Sequence, residues 1–322
     1  MTKARQLADL GNVYDDGALS NRNKIINGAM VIDQRNGGAS VTPIISVTYS
    51  LDRWLAIASL ASKYSVQQNA GSVTPPAGFT NYLGVTSLSA YSVGATETFA
   101  ISQRIEGFNI ADLGWGTASA KTITISAWVR SSLTGTFGGS LRNSGTNRSY
   151  PFTYTISAAN TWEYKTITIE GDTSGTWLTN NGSGLEVIFG LGSGSTRSGT
   201  AGAWAGINYT NATGATSIVG TNGATFYFTG VQLEVGDTAT PFEHRSYGDE
   251  LARCQRYYAT ASQYIPHTSV LPTNWFFPVT MRATPTISGG GAGYGTFGTS
   301  IDQVAHRQTT AGAATVNADA EL

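Results

Sequence analysis

The sequence predicts an all-β protein, and three observations lead there. Charged side chains make up 12% of the 322 residues, about half the usual share in a soluble globular protein, so the Glu, Lys and Arg that build long soluble helices are scarce. Gly is abundant at 39 residues, with Ser and Thr frequent throughout. From Ile25 onward, short stretches alternate apolar and polar residues between clusters of Gly, Asn, Ser and Pro, the pattern of half-buried strands joined by turns. Disorder is excluded, because the formal net charge is −1 and 11% of residues are aromatic.

Residues 3–10 place Leu7 and Leu10 at i, i+3 beside Ala4 and Ala8, which predicts a short helix stopped at Gly11. Residues 11–23 are polar and turn-rich, so residues 1–23 read as an arm outside any core, either docked on a partner or frayed. Residues 121–130 alternate, with Ile123, Ile125, Ala127 and Val129 on one face and Trp128 among the polar residues of the other. Residues 162–169 and 185–191 repeat the pattern. In residues 226–235 the alternation shifts parity around Gly230, which predicts a bulge. The Gly-, Ser- and Thr-rich stretch 192–222 is too long for a hairpin turn, and loops of that length are often functional. Its Trp204 either presents a stacking face or caps the core edge. Asp249 is placed to N-cap a helix over residues 250–256. Pro278 and Pro285 then restrict residues 274–281 and 282–287 to edge or bent strands. Residues 311–322 hold almost no apolar side chain beyond Ala and Val316.

The chemistry of common enzymes is missing from the sequence. Cys254 is the one cysteine, so neither an intrachain disulfide nor a thiolate zinc site forms. The histidines His244, His267 and His306 fall in no His-Glu-x-x-His pattern, and there is no Gly-x-Ser-x-Gly elbow. Neither residues 15–17 nor residues 171–175 have the spacing of a calcium loop. No enzymatic activity, cofactor or metal is therefore expected. The first ten residues carry charges where a signal peptide needs an apolar run, and no stretch approaches a membrane span. Without a basic cluster, nucleic-acid binding is set aside. What remains is seven Trp and fifteen Tyr on a charge-poor scaffold, a composition suited to stacking on sugar rings while Asn, Gln, Ser and Thr bond the hydroxyls. Trp204 and Tyr209, which interrupt the long loop, and Trp177, which follows the turn at residues 171–175, are the candidate glycan-binding residues. Trp128 and Trp162 lie in strands, where packing is the expected role.

Lys24-Ile-Ile-Asn-Gly-Ala-Met30, Asp52-Arg-Trp54, Gln103-Arg-Ile-Glu-Gly107, Ser126-Ala-Trp-Val-Arg130, Asn160-Thr-Trp-Glu-Tyr164 and Phe226-Tyr-Phe-Thr-Gly-Val-Gln-Leu-Glu-Val-Gly236 occur in that order. Together they resemble a family of bacteriophage virion proteins in which a carbohydrate-binding-module-like jelly roll is carried on tail fibres and related appendages. The resemblance implies a jelly-roll β-sandwich over residues 24–245 and a small C-terminal β module over residues 246–322, where Pro241-Phe-Glu-His-Arg-Ser246 marks the exit. It also implies attachment of the arm to other virion proteins, with Arg5, Leu7 and Leu10 as anchoring residues, and a host surface glycan as ligand. The place of the protein is then the virion, assembled in the host cytoplasm. Related carbohydrate modules often end in Asp-Asp-Val, which helps hold a structural calcium; Thr229-Gly230-Val231 stands there instead. A homotrimer joined through residues 246–322 is expected, because Trp275, Phe276, Phe277 and Tyr294 would otherwise face water. The alternatives are a capsid-bound head fibre or decoration protein without a receptor role, and a polysaccharide-degrading enzyme.

Overall fold

The computed structural model describes residues 21–265, 272–291, 294–308 and 311–322. The anchoring residues Arg5, Leu7 and Leu10, the helix expected over residues 3–10, and His267 lie outside the described residues.

Two antiparallel sheets face each other. One has six strands in the spatial order β1 (Ser46–Leu51), β2 (Trp54–Ala58), β5 (Thr98–Glu106), β10 (Ser183–Ser193), β7 (Gly135–Arg142), β8 (Ser149–Ile156). The other has five, ordered β3 (Tyr64–Gln68), β4 (Leu83–Ser87), β13 (Thr225–Val235), β6 (Ile123–Ser131), β9 (Glu163–Ile169). The chain crosses between the sheets after β2, β4, β5, β6, β8 and β9, and again after β10 through the loop 192–222, the weave of a jelly-roll sandwich. Inward residues of both sheets meet in one core. Phe189 of β10 stacks on Phe228 of β13 at 5.1 Å, and Trp54 meets Phe228 edge-on at 5.3 Å. Each such ring contributes on the order of 1.5–3 kcal/mol by leaving water.

The strands predicted over residues 121–130, 162–169, 185–191 and 226–235 are present, with ends shifted by at most two residues. The bulge lies where the parity shift placed it: pairing of β13 with β6 slips between Thr229 and Gln232, and Gly230 has φ +62°. A side chain at Gly230 would be strained twice, since its Cβ would stand 2.6 Å from the Phe79 ring as well as in the left-handed region. The loop 192–222 is folded, not open. Its short strands β11 (Ser198–Gly199) and β12 (Asn211–Ala212) pair in parallel, and Asn211 lies flat on the six-stranded sheet. That approach requires glycine beneath it, because a Cβ at Gly138 or Gly190 would fall 2.3 or 2.4 Å from the Asn211 side chain.

Beyond the sandwich, helix α1 (Tyr247–Gln255) is capped by Ser246, whose hydroxyl accepts from the Asp249 amide, so the cap precedes the expected Asp249 by three residues. Asp249 instead sits in the first turn, where its charge suits the helix dipole. Two three-stranded sheets follow: β14 (Tyr258–Ile265), β19 (Gly312–Asp319), β16 (Thr286–Gly289), and β15 (Thr273–Phe276), β18 (Gln303–Arg307), β17 (Gly295–Thr299). The apolar-poor tail is thus a central strand, its Val316 and Ala318 buried with Trp275, Phe277 and Met281. This corrects the premise of the trimer expectation. Trp275 and Phe277 fill the module's own core and Tyr294 packs partly against it, which leaves Phe276, 67% exposed, as the one strongly exposed ring of the four.

Three of the motifs that carry the family resemblance, at residues 24–30, 52–54 and 103–107, meet where the sandwich joins residues 246–322. Asn27 donates to the Ile32 and Asp52 carbonyls, Trp54 Nε1 donates to the Asn27 carbonyl, and Gln103 and Ile26 exchange two 2.8 Å bonds. Glu106, buried, accepts from Arg256 at 2.6 and 3.0 Å and from the Tyr257 hydroxyl at 2.7 Å. Buried Arg53 pairs with Glu321 and lies 3.5 Å from the Tyr257 ring centre. The last residues of the expected arm are fixed too, since Glu243 accepts from the Asn21 and Asn23 amides at 2.6 and 2.8 Å.

Gly230→Ala is expected to lower stability by about 2–3 kcal/mol, from left-handed strain plus the displaced Phe79 ring. Gly223→Ala, at φ +75° with open space around it, should lose only about 1 kcal/mol. Equal urea midpoints for the two variants would contradict the close approach at Gly230.

Candidate functional site

Strands β8 and β9 are edge strands, one from each sheet, and they run side by side at one margin of the sandwich. The long loop folds back onto that margin. Ala205 and Ser149 exchange backbone bonds of 2.8 and 3.0 Å, and the Gly202 amide donates to the Pro151 carbonyl at 2.9 Å. Trp204 is carried across to the other sheet, where its Nε1 donates to the Glu170 carbonyl at 2.8 Å. Its ring meets Tyr150, Trp115 and Trp177 edge-on, with centroids 5.1, 5.3 and 5.5 Å away.

The result is a cleft of about 520 Å³ lined by Tyr150, Thr168, Glu170, Gly202, Ala203 and Trp204. Glu170 and Thr168 are exposed, while Tyr150 and Trp204 are half-buried. Burial, then the negative charge of Glu170, hold the Tyr150 phenol above its ordinary value, so it remains a donor at neutral pH. The cleft therefore offers an aromatic wall, a phenolic donor, a carboxylate acceptor and a threonine hydroxyl, the set that binds a polar ring with one apolar face.

Of the three residues singled out in the sequence, only Trp204 lines this cleft. Trp177 is 7% exposed and lies under Trp204, with its ring 4.8 Å from Trp115, so it supports the wall and cannot stack on a ligand. The turn before it is drawn inward rather than projecting, because Asp172 binds Arg148 through two 2.7 Å bonds and accepts from the Ser174 amide. Tyr209 packs its ring on Gly199, where a Cβ would stand 2.3 Å away, and is spent on holding the loop together. Trp204 also caps the core edge, so stacking and packing fall on the same ring.

The sequence reading missed Tyr150, Thr168 and Glu170, and it set aside Trp128. Trp128 stands outward and pairs across the strands with Tyr164 at 5.4 Å. With Phe79, Phe242 and His244 these rings line a second cleft of about 590 Å³ on the outer face of the five-stranded sheet. The missed signal was parity. Tyr164, Thr166, Thr168 and Glu170 are alternate residues, and all four are exposed.

Two further clefts, of about 540 and 330 Å³, lie around Lys24 and Asp112 and around Asp249 and Arg256. None of the four is lined by more than one carboxylate. Among the described residues no group of three or more His, Cys, Asp or Glu side chains could hold a metal ion. The Thr229 hydroxyl, in the Thr229-Gly230-Val231 stretch, donates to the Asn81 carbonyl at 2.7 Å.

No family model matches the chain and no curated protein matches it. Among solved structures, it is similar to the enzymatically active domain of tailspike protein 4 of bacteriophage CBA120, with 11% identity and a TM-score of 0.33. That alignment covers 66% of this chain and 21% of the other, so the chain spans about a fifth of the tailspike structure's length. It is also similar to a CBM4 structure, 16% identical over 65% of this chain and 98% of that one, TM-score 0.32. A family 11 carbohydrate-binding module from a Clostridium thermocellum cellulase aligns at 11% identity over 63% and 99%, TM-score 0.30.

Trp177→Ala is expected to cost about 3–5 kcal/mol, as for a fully buried Trp, and Trp204→Ala about 2 kcal/mol, since part of that ring already faces water. Urea unfolding checks the order; a Trp204 variant less stable than the Trp177 variant contradicts it.

Proposed function

We propose that this chain is a non-enzymatic carbohydrate-binding protein carried on a bacteriophage virion appendage, where it serves attachment to a host surface glycan. The observation that carries the reading is the edge cleft, in which the half-buried Trp204 ring stands beside the Tyr150 phenol and the Glu170 carboxylate. A pyranose presents an apolar face and a rim of hydroxyls, and this arrangement answers both, by contact with the ring and by one donor and one acceptor at its margin. Tyr150 and Trp204 are held by packing and by the Glu170 carbonyl bond, so little side-chain freedom is lost on binding. Hydrolysis of a glycosidic bond generally needs two carboxyl groups flanking one site, and each of these clefts has at most one. The virion assignment rests on the ordered sequence landmarks.

The test is affinity electrophoresis through gels carrying neutral polysaccharides (mixed-linkage β-glucan, xylan, galactomannan, dextran) or acidic ones (alginate, polygalacturonate), together with host envelope polysaccharide. The wild-type protein is expected to be retarded by at least one gel. Glu170→Gln and Tyr150→Phe should each weaken that retardation about tenfold, roughly the worth of one hydrogen bond, with unchanged urea midpoints. Retardation by no gel, or variants that bind like wild type, contradicts the cleft as a glycan site. Peptides of this chain in density-purified phage particles check the virion assignment, and their absence contradicts it.

A further inference from the structure

We infer that the two aromatic clefts are the ends of one track, which runs along the outer face of β9 and takes an extended, uncharged polysaccharide chain rather than a single sugar. The inference rests on the glycan reading above and adds the length, direction and charge of the ligand.

The geometry follows from strand parity. Tyr164, Thr166 and Thr168 sit at every second position of β9 and leave the same face, Glu170 follows in step one residue past the strand's end, and all four are exposed. Six residues at about 3.3 Å each separate Tyr164 from Glu170 by about 20 Å. Tyr164 with Trp128 lies at one end of that row, and Glu170 with Trp204 and Tyr150 at the other. Between the rings stand two hydroxyls. Thr168 spends its proton on the Asp237 carbonyl at 3.0 Å and keeps its acceptor capacity, while Thr166 is free to face a ligand on the exposed side of the strand. A row with aromatic platforms at its ends and small hydroxyl side chains between them has the shape of a seat for a linear chain. A single pyranose would use only one end of it.

The charge pattern sets the class of chain. Neither cleft is lined by Lys or Arg, and Glu170 is the one charged side chain lining either. Lys165 and Glu163, on the opposite parity of the same strand, pair with each other at 2.6 Å. An acidic polysaccharide would bring carboxylates to two clefts that no Lys or Arg lines, one of them already holding Glu170, so the track selects against it.

The experiment uses the full chain, with Thr166→Arg to block the middle of the row and Tyr164→Ala to remove its far end. Both sites are exposed, and circular dichroism with urea midpoints confirms folding. The readouts are retardation in the neutral and acidic gels named above, and titration with the disaccharide and hexasaccharide of the retarding polymer. The inference expects retardation by neutral gels only, and a hexasaccharide that binds at least tenfold more tightly than the disaccharide. Both substitutions should abolish that gain. If Glu170→Gln weakens binding while Thr166→Arg and Tyr164→Ala bind the polymer like wild type, the edge cleft acts alone and the track is overturned, with the glycan reading intact. Retardation by acidic gels alone overturns the charge argument. Retardation by no gel removes the glycan reading and the track together.

Discussion

Strand β9 is hydrogen-bonded to β6 along one edge and has no further strand of its own sheet beyond it, so its two faces do different work. Inward, Ile167 and Ile169 close the margin of the core beside Ile123 and Ile125. Outward, Tyr164, Thr166 and Thr168, continued by Glu170 just past the strand's end, form an exposed row that a ligand can reach. Unpaired edges invite association with other strands, and proteins manage them by covering or interrupting them. Here the margin is partly covered by the returning loop, whose Trp204 reaches from the β8 side to the Glu170 carbonyl. That one indole bond ties the two sheet edges together and forms one wall of the edge cleft.

The opposite end of the sandwich is handled by buried charge instead of aromatic packing. Glu106 with Arg256 and Tyr257, and Arg53 with Glu321, fasten residues 246–322 to the jelly roll. Burying ions costs solvation that the pair regains only with good geometry, so such contacts set orientation more than they add stability. Glu186 follows the same rule on the six-stranded sheet. Burial would raise its pKa, yet Arg142 and Arg104 hold it below the ordinary carboxylate range, and Ser102 donates to it at 2.8 Å. Arg142 in turn donates to Asn208 of the long loop at 2.9 Å, so the loop that carries Trp204 is anchored on a charged network as well as on glycine.

The fold was legible in the sequence because alternation and turn chemistry are local. Ile123 to Val129 and the parity shift at Gly230 could be read without knowing what they pack against. The closing strand was not legible, since Ala and Val316 carry little apolar weight by themselves and become core only when Trp275 and Phe277 face them. The site was half legible. Trp204 stood out as an aromatic in a polar loop, but Trp177 had the same signature and is buried, because the Arg148–Asp172 pair that draws its turn inward joins residues far apart in the chain. Tyr150 and Glu170 come from different sheets, and no local pattern reports that two sheet edges meet. The family landmarks divide for the same reason: Asn27, Trp54, Gln103 and Glu106 hold the junction with residues 246–322, while Trp128 and Tyr164 line the second aromatic cleft.

The most direct test of this account is a crystal structure of the protein soaked with the hexasaccharide of a polysaccharide that retards it. The account predicts sugar rings on the outer face of β9, one against Trp204 between Tyr150 and Glu170, with the chain continuing past Thr166 toward Trp128 and Tyr164. Sugar density on the outer face of the six-stranded sheet or on residues 246–322, with the β9 row bare, would contradict it.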